Sequence, residues 1–529
     1  MCPAPAFGGS SFDETDHLDS PLNAKVITIP PPVKSASRPR QHPLYLTQTH
    51  EIMRTKVVAT IGPASSSKKM LAEMIEAGMN VARLNLSHCT HEFAQEAITN
   101  IRSILTETNS TAEVGIWVDI NGPKVRTGSL KDEKPVFLKG GDSFFFINDV
   151  NEVGDNTKIS TTYTKELVSV GDKMYIDDGL LSFTVVERLP NSIRTIVDNS
   201  GWLGENKGIN FPSYIIEELP AVSPKDEEDI LFAIKLGVDF LSVSCIRNVS
   251  DVEEVRILLG NSKVKLLSKI ENQRGMENYE AILRLSDGIV IDRGYLGAEV
   301  DVEIVTTAQK RMVTLANTAG KPILVANQML ESMRSHPRPS RAEAADVANA
   351  VMDGVDGLVL SAETAVGLYV VETINIMRRI CLNAERSTNY LEFQARLIRN
   401  IPKPIPVSES IASSAVTCAR QVNAAVLVSV TELGGTARLT AKYRPLVPVI
   451  GAVLHSQQQT ARQLALNFGI IPYTHTGDED SIVTETLRFA TELGICKAGD
   501  VAIVTAGQQI GFMEGTTTRM QILSIPSFE

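Results

Sequence analysis

The sequence has few cysteines, and they are not spaced for pairing or for zinc. Its 529 residues contain no Cys-x-x-Cys pattern, and the six cysteines are scattered: Cys2, Cys89, Cys245, Cys381, Cys418 and Cys496. Such usage is typical of a reducing compartment and argues against a disulfide framework. We therefore expect a cytoplasmic protein.

Basic blocks and long apolar runs are also missing. The net charge of -11 argues against general binding to nucleic acids or anionic membranes. No apolar run approaches the ~20 residues that a membrane span needs. Residues 1–44 are rich in Pro and Ser, carry several acidic residues and lack an apolar signal core. We predict that they form a disordered tail.

Short apolar runs alternate with helical patterns along much of the chain. Eight runs of this kind begin near residues 55, 80, 114, 238, 263, 288, 321 and 356. Between them lie segments such as ADVANAVMDGV, whose apolar residues recur at helical spacing. Eight strand-then-helix units predict an α/β fold, a (β/α)8 TIM barrel over residues 45–122 and 221–395.

Two further domains are expected. Residues 123–220 contain short strand-like pieces such as FFFIND and SFTVVERL, separated by Gly, Asp and Asn turns. They predict an inserted β-barrel-like lid domain that caps the barrel mouth. After the Pro-rich stretch IPKPIPVSE, four more strand-and-helix runs predict a doubly wound α/β domain over residues 396–529.

Polar residues follow every predicted barrel strand, where barrel enzymes place their active sites. They are Thr60, Arg83, Asn85, Ser87, His88, Asp119, Arg126, Arg247, Lys269, Glu271, Asp292, Arg293, Asn327, Ser361 and Glu363. Any one alone is most simply a solvated loop residue. Together, cations mixed with carboxylates suit a phosphorylated anion bridged by a metal. Gly294 opens a helix-like turn whose free N–H groups suit an anion. We predict phosphoryl transfer or phosphate-ester chemistry.

Several segments resemble the pyruvate kinase family. They are TKVVATIGPAS, MNVARLNLSHCTHE, LPAVSPKDEEDI, SKIEN, NQMLESM, PRPSRAEAADVANAVMDG and SAETA, in the order of that family. The resemblance implies phosphoryl transfer from phosphoenolpyruvate to ADP, giving pyruvate and ATP. It also implies Mg²⁺, K⁺ and a homotetramer.

The resemblance also implies roles for individual residues. Lys269 would stabilise the phosphoryl group in flight, Arg83 would hold the phosphate and Glu271 would bind Mg²⁺. Ser361 and Glu363 would relay the proton that ketonises enolpyruvate. The remaining roles fall into three sets: nucleotide contacts from Thr60, Pro63, Asn85, His88, Arg126 and Lys207; substrate contacts from Gly294, Tyr295 and Asn327; and a monovalent-cation site of Asn85, Ser87, Asp119 and Ile120.

The sequence departs from the family pattern in the turn DRGYLG. Tyr295 stands where the family has the aspartate that shares Mg²⁺ with Glu271, and a phenol is a poor Mg²⁺ ligand. Asp292 stands where the family has a small residue. It either supplies the lost metal oxygen or forms a salt bridge with a neighbouring Arg or Lys. Asn327 replaces a threonine, and an amide cannot pass a proton as a hydroxyl does.

Two other departures concern activation. Ile120 and Lys124 stand where the family often has a threonine and a glutamate. The ammonium of Lys124 would supply the charge of K⁺, so we expect K⁺-independent activity. Glu432 lies where sugar-phosphate-activated members have a phosphate loop, which argues against fructose-bisphosphate activation.

Two functions therefore remain open. One is a phosphotransferase of the pyruvate kinase type with impaired activity. The other is a non-catalytic paralogue that keeps the fold and acts as a ligand-binding or regulatory subunit.

Overall fold

The computed structural model describes residues 52–108, 112–122, 125–149, 151–161, 168–177, 179–211, 220–507 and 517–528. The predicted N-terminal tail lies outside these residues. Among them, no helix combines the length and the hydropathy needed to cross a membrane.

The first part of the chain alternates buried strands with amphipathic helices. Its elements are β1 (Lys56–Thr60), α1 (Lys68–Ala77), β2 (Val81–Asn85), α2 (His91–Glu107) and β3 (Gly115–Ile120). Helix α1 begins where the side chain of Ser67 accepts a hydrogen bond from Met70 N, and it ends at Gly78 in the left-handed conformation.

In the inserted part, the described residues form strands and one 3₁₀ turn, at Lys131–Glu133. The strands are β4 (Val136–Leu138), β5 (Ser143–Ile147), β6 (Lys158–Ser160), β7 (Lys173–Ile176), β8 (Leu181–Leu189), β9 (Ser192–Val197), β10 (Gly201–Leu203) and β11 (Ile209–Asn210). Six of them form a sheet in the order β11-β7-β8-β9-β5-β6, and β10 pairs with β4. Alternate residues of these strands enclose a separate apolar core around Phe144, Phe146 and Phe183.

The chain then resumes the strand-and-helix pattern, with a further 3₁₀ turn at Glu331–Arg334. The elements are α3 (Pro224–Leu236), β12 (Phe240–Val243), α4 (Val249–Leu259), β13 (Lys265–Ile270), α5 (Gln273–Glu277), α6 (Tyr279–Leu285), β14 (Gly288–Asp292), α7 (Arg293–Glu299), α8 (Val302–Ala319), β15 (Ile323–Ala326), α9 (Arg341–Asp353), β16 (Gly357–Leu360), α10 (Ala362–Ala365), α11 (Val370–Ser387) and α12 (Tyr390–Asn400).

The C-terminal part has a five-stranded sheet flanked by helices, and a 3₁₀ turn at His455–Gln457. Its elements are α13 (Val407–Gln421), β17 (Val426–Val430), α14 (Gly435–Lys442), β18 (Val449–Leu454), α15 (Gln458–Leu464), β19 (Ile470–His475), α16 (Ile482–Glu492), β20 (Val501–Gly507) and β21 (Thr517–Ser524). The order is β19-β18-β17-β20-β21, parallel except for β21. The edge strand β21 was not predicted.

Eight parallel strands close into a barrel in the order β1-β16-β15-β14-β13-β12-β3-β2. All eight apolar runs singled out in the sequence form these strands, and the predicted TIM barrel is confirmed. Alternate strand residues point inward and pack in one interior cluster with Trp117 and Phe240. Leu466 of the C-terminal part completes that cluster from the bottom, so the two parts share a core.

The same interface buries Arg444, which is 2% exposed. Its guanidinium donates to Asp356 Oδ1 at 3.0 Å and to Asn317 Oδ1 at 2.8 Å, and it lies 4.2 Å from the ring centroid of Phe468. The Asp356 carboxylate also accepts the backbone N–H groups of Ile323 and Phe468. One buried ion pair thus ties barrel strands to the C-terminal part.

We expect Arg444→Met to lower the free energy of unfolding by about 3–5 kcal/mol, because it leaves the carboxylate of Asp356 buried without its cation. Urea unfolding followed by far-UV circular dichroism measures the change. Arg420→Met is the matched control, since Arg420 is exposed on α13, and it should change the value by less than about 0.5 kcal/mol. Equal effects of the two substitutions would contradict a stabilising role for Arg444.

Candidate active site

The carboxyl ends of the barrel strands gather a cluster of buried charges around Lys269. Its Nζ lies 2.8 Å from Glu271 Oε1, 3.2 Å from Asp292 Oδ2 and 3.3 Å from Asp119 Oδ2. Nζ also donates to Ser244 Oγ at 3.1 Å. These residues end β13, β14, β3 and β12, so four strands direct polar groups to one point.

Arg83 of β2 supplies a second cation. Its Nε donates to Asp119 Oδ2 at 2.9 Å, and its Nη1 donates to Thr60 Oγ1 at 2.8 Å. Asp119 Oδ1 accepts from Ser242 Oγ at 2.6 Å, and Ser242 in turn accepts from Trp117 Nε1. The carboxylate is therefore held from three sides, and Arg83 cannot rotate without breaking this network.

Burial and charge act in opposite directions on these groups. Burial alone would lower the pKa of Lys269, but Asp119, Glu271 and Asp292 raise it well above its ordinary value. Burial would raise the pKa of Asp119, and Lys269 and Arg83 outweigh that effect and lower it. Lys269 is thus an ammonium and Asp119 a carboxylate at neutral pH.

A hydrogen-bonded chain leads from Lys269 to the end of β16. Asp292 accepts a short hydrogen bond from Asn327 Nδ2, and Asn327 Oδ1 accepts from Ser361 Oγ at 2.7 Å. Asn327 has φ +67°, a backbone conformation that asparagine tolerates better than β-branched residues. Asp292 also lies 3.2 Å from Lys269 Nζ, so the salt bridge that was one of its two expected roles is present.

Glu363 lies behind Ser361 at the bottom of the site. Its carboxylate accepts the backbone N–H groups of Ser361 at 2.7 Å and Leu330 at 3.1 Å. Burial raises the pKa of Glu363 to about 7. A carboxyl with that pKa exchanges protons near neutral pH, and this one is held at the backbone of Ser361.

Cations also surround His88, and Arg83 links them to the Lys269 cluster. Partial desolvation by the cleft walls, and then the positive charges of Arg126, Arg83 and Lys207, lower the pKa of His88 to about 4. Arg126 donates to Asn206 O at 2.9 Å and to Asn121 Oδ1 at 3.0 Å. A neutral imidazole beside three cations favours a polyanionic ligand.

The other predicted nucleotide and cation-site residues line the ends of β1, β2 and β3. Thr60 donates to Leu360 O, and Pro63 is exposed at the rim. Asn85 Oδ1 accepts from Ser87 N, and Ser87 Oγ donates to Asn121. Lys124 lies outside the described residues.

Ile120 and Arg247 point away from the cluster. The side chain of Ile120 is fully buried in the apolar layer between barrel and helices, so only its backbone can face a cation. The guanidinium of Arg247 pairs with Asp251 in the first turn of α4, at 3.0 Å.

Tyr295 lies between the barrel and the inserted strands. It belongs to the short helix α7, which begins directly after Asp292. A Cβ placed on Gly208 would lie 3.3 Å from Cε1 of Tyr295. The phenol ring therefore packs against the backbone of the segment that carries Lys207.

Two carboxylates of this cluster could contribute oxygens to a divalent cation. Among the described residues no three His, Cys, Asp or Glu side chains form a metal cluster, yet Glu271 and Asp292 both point at Nζ of Lys269. Mg²⁺ is commonly held by one or two carboxylates together with substrate oxygens and water. Three carboxylates here face two cations, Lys269 and Arg83, which leaves one negative charge in excess.

Sequence reasoning did not find three residues of the site. Ser242 and Ser244 support Asp119 and Lys269, and Asn121 joins Ser87 to Arg126. The spacing of the two serines at the end of β12 was the available signal, because residues two apart in an extended segment point the same way. Nothing in the sequence indicates the role of Asn121.

Comparison with known proteins agrees with the geometry. The family "Pyruvate kinase, barrel domain" matches residues 52–374, and "Pyruvate kinase, alpha/beta domain" matches residues 409–523. Pyruvate kinase of Dictyostelium discoideum is 41% identical over 90% of this chain and 96% of its own length. The cytosolic pyruvate kinase isozyme of Glycine max is 40% identical over 85% and 93%.

The fold agrees as well. The crystal structure of a pyruvate kinase from Cryptosporidium parvum superposes with a TM-score of 0.81 at 36% identity, and covers 90% of this chain and 96% of that one. Both matching domains, relatives at about 40% identity and the barrel with its charged mouth lead to one conclusion: the chain belongs to the pyruvate kinase family.

Proposed function

We propose that the protein transfers a phosphoryl group from phosphoenolpyruvate to ADP, giving pyruvate and ATP. The observation that carries this proposal is the buried ammonium of Lys269, fixed by three carboxylates beside the guanidinium of Arg83. A phosphoryl group in flight carries negative charge that preorganised cations stabilise.

In this reaction Arg83 binds the phosphate of phosphoenolpyruvate and Lys269 stabilises the transferring group. The enolpyruvate that remains takes up one proton at its methylene carbon to become pyruvate. Ser361 delivers that proton, and Glu363, with a pKa of about 7, replaces it. Asn327 orients the Ser361 hydroxyl by accepting its hydrogen bond, and donates none of its own protons to carbon.

ADP binds beside His88. Its phosphates face Arg126 and Lys207, both of which act on neutral His88, and Thr60, Pro63 and Asn85 contact the nucleotide from the ends of β1 and β2. The backbone of Gly294, at the start of α7, receives the substrate carboxylate beside Tyr295.

Glu271 and Asp292 would hold Mg²⁺, which neutralises phosphate charge when it is bound. Asp292 thereby replaces the carboxylate that Tyr295 lacks. The contact with Lys269 supports this, because Asp292 and Glu271 meet at the same ammonium and so lie close together. The alternative is that Asp292 serves only in its ion pair with Lys269.

One observation favours the second function, a non-catalytic paralogue that binds a nucleotide or a phosphorylated acid. Tyr295 and Asn327 occupy the places of a metal carboxylate and a hydroxyl, and both are fixed by neighbours rather than left loose. Such a chain would act as a regulatory or structural subunit. The two functions predict different outcomes for the same substitutions.

Pyruvate formation from phosphoenolpyruvate and ADP with excess Mg²⁺ tests the proposal. We expect turnover, and we expect Lys269→Met to lower kcat by about 10³-fold or more. Lys310→Met, which removes an ammonium on α8 outside the site, is the control. A silent native chain together with an active Tyr295→Asp/Asn327→Ser variant would instead establish the non-catalytic paralogue. Serine restores the hydroxyl without a β-branch at φ +67°.

Metal binding tests Asp292 without reference to activity. We expect Asp292→Ala to weaken Mn²⁺ binding about tenfold or more, a loss of ~1.4 kcal/mol or more, because one of two ligand carboxylates is removed. Electron paramagnetic resonance of free Mn²⁺ measures the affinity. Asp346→Ala removes a carboxylate that pairs with the adjacent Arg293 and should leave it unchanged. If Asp292→Ala binds Mn²⁺ as tightly as the native chain, Asp292 is not a metal ligand and serves only in its ion pair with Lys269.

We expect activity to be independent of K⁺. Asp119, the carboxylate of the predicted monovalent-cation site, already contacts Arg83 and Lys269, and Lys124 brings a further charge in the sequence. Replacing K⁺ by tetramethylammonium at constant ionic strength should change the initial rate by less than about twofold, a free-energy difference of ~0.4 kcal/mol. Lys124→Glu should make the rate respond to K⁺. Strong stimulation of the native chain by K⁺ would contradict this expectation.

The homotetramer, the cytoplasmic location and the lack of fructose-bisphosphate activation remain predictions of the same proposal. Glu432 supports the last, because its charge lies just before the left-handed Gly434 that begins α14. A carboxylate at that turn repels a phosphate.

A further inference from the structure

Helix α7 contacts the inserted strands at two points one turn apart. The ring of Tyr295 packs on Gly208, and Glu299 Oε1 accepts a hydrogen bond from Asn210 Nδ2 at 2.7 Å. Residues four apart on a helix share one face. Tyr295 and Glu299 therefore form a single surface directed at the inserted strands.

The receiving surface has the matching spacing. Ile209 is buried in the apolar core of the inserted part, so Gly208 and Asn210 on either side of it point the other way, towards α7. The absence of a side chain at Gly208 makes room for the ring. Two helix residues one turn apart, Tyr295 and Glu299, thus contact two strand residues two positions apart, Gly208 and Asn210.

The clasped segment carries the cations on the nucleotide side of the cleft. Gly208 pairs with Arg126 in a β-bridge, and Lys207 directly precedes it. Thr127 N donates to Lys207 O at 2.9 Å, and Lys207 N donates to Thr127 Oγ1 at 2.8 Å. A shift of Gly208 relative to α7 would move both Arg126 and Lys207.

We propose that Tyr295 is a positioning residue that clasps the inserted domain to the barrel through Gly208 and so sets the placement of Lys207 and Arg126 over the site. The turn beside Asp292 and the nucleotide-facing segment then move as one body. The role of Lys207 and Arg126 in binding a nucleotide rests on the proposed function. The contact between Tyr295 and Gly208 does not depend on it.

Hydrogen exchange of the full chain, measured by mass spectrometry without ligands, tests the clasp. Tyr295→Ala should speed exchange about threefold or more in peptides covering residues 125–130 and 204–211. Tyr295→Phe keeps the ring carbon that faces Gly208 and should exchange clearly more slowly than Tyr295→Ala does. Peptides covering β8 and β9 should not change in any variant, since they lie in the same sheet but away from α7.

Exchanging the sizes of the two contacting residues distinguishes loss of the contact between Tyr295 and Gly208 from a general loss of stability. Gly208→Val places methyl groups against Tyr295 and should speed exchange in residues 204–211, and Tyr295→Ala in the same chain should return exchange towards the native rate. Gly297→Ala is the control on α7, because a Cβ there meets only Val305 at 3.9 Å. Native exchange in Tyr295→Ala, or equal acceleration throughout β8 and β9, would overturn the clasp.

Isothermal titration calorimetry measures how the contact between Tyr295 and Gly208 affects the affinity for ADP. Tyr295→Ala should weaken ADP binding about fivefold, and Tyr295→Phe, which keeps the ring, should weaken it less. Faster exchange with unchanged ADP affinity would overturn the positioning of Lys207 and Arg126. If the native chain binds no ADP, the proposed function fails on the nucleotide side, and the exchange result still decides the clasp.

Discussion

The mouth of the barrel depends on one buried ammonium group, Nζ of Lys269. Three carboxylates on three different strands, Asp119, Glu271 and Asp292, would repel one another in a dry site, and this cation makes their proximity tolerable. Arg83 and Ser242 then fix Asp119, and Asn327 fixes Asp292. The same arrangement holds a positive charge at the place where a phosphoryl group would develop negative charge, so stability and proposed chemistry share one interaction.

The turn after β14 contributes to two different contacts, one in the charged cluster and one with the inserted strands. Asp292, one residue before α7, brings a carboxylate into the charged cluster, while Tyr295 turns its ring to the inserted strands. A phenol is a poor Mg²⁺ ligand but a good packing surface, because its ring buries a large apolar area. The turn DRGYLG thus places a carboxylate in the charged cluster and an aromatic ring on the inserted strands.

The barrel and the C-terminal part are joined by interactions that resemble a protein core more than a surface. Leu466 fills the barrel from below, and Arg444 pairs with Asp356 under the rings of Phe393 and Phe468. Buried pairs of this kind are costly to break one partner at a time. The C-terminal part therefore supports the floor of the barrel whose mouth carries the site.

The sequence by itself determined the architecture and the set of polar strand ends, because period-two and period-3.6 patterns report burial directly. It also located Lys269, Glu271, Asp292 and Arg83. The edge strand β21, the supporting Ser242 and Ser244, and the outward direction of Ile120 emerged only from the fold. Only the tertiary structure decided that Asp292 pairs with Lys269 and that Tyr295 meets Gly208, since these partners are 23 and 87 residues apart and local patterns carry no information about such distant contacts.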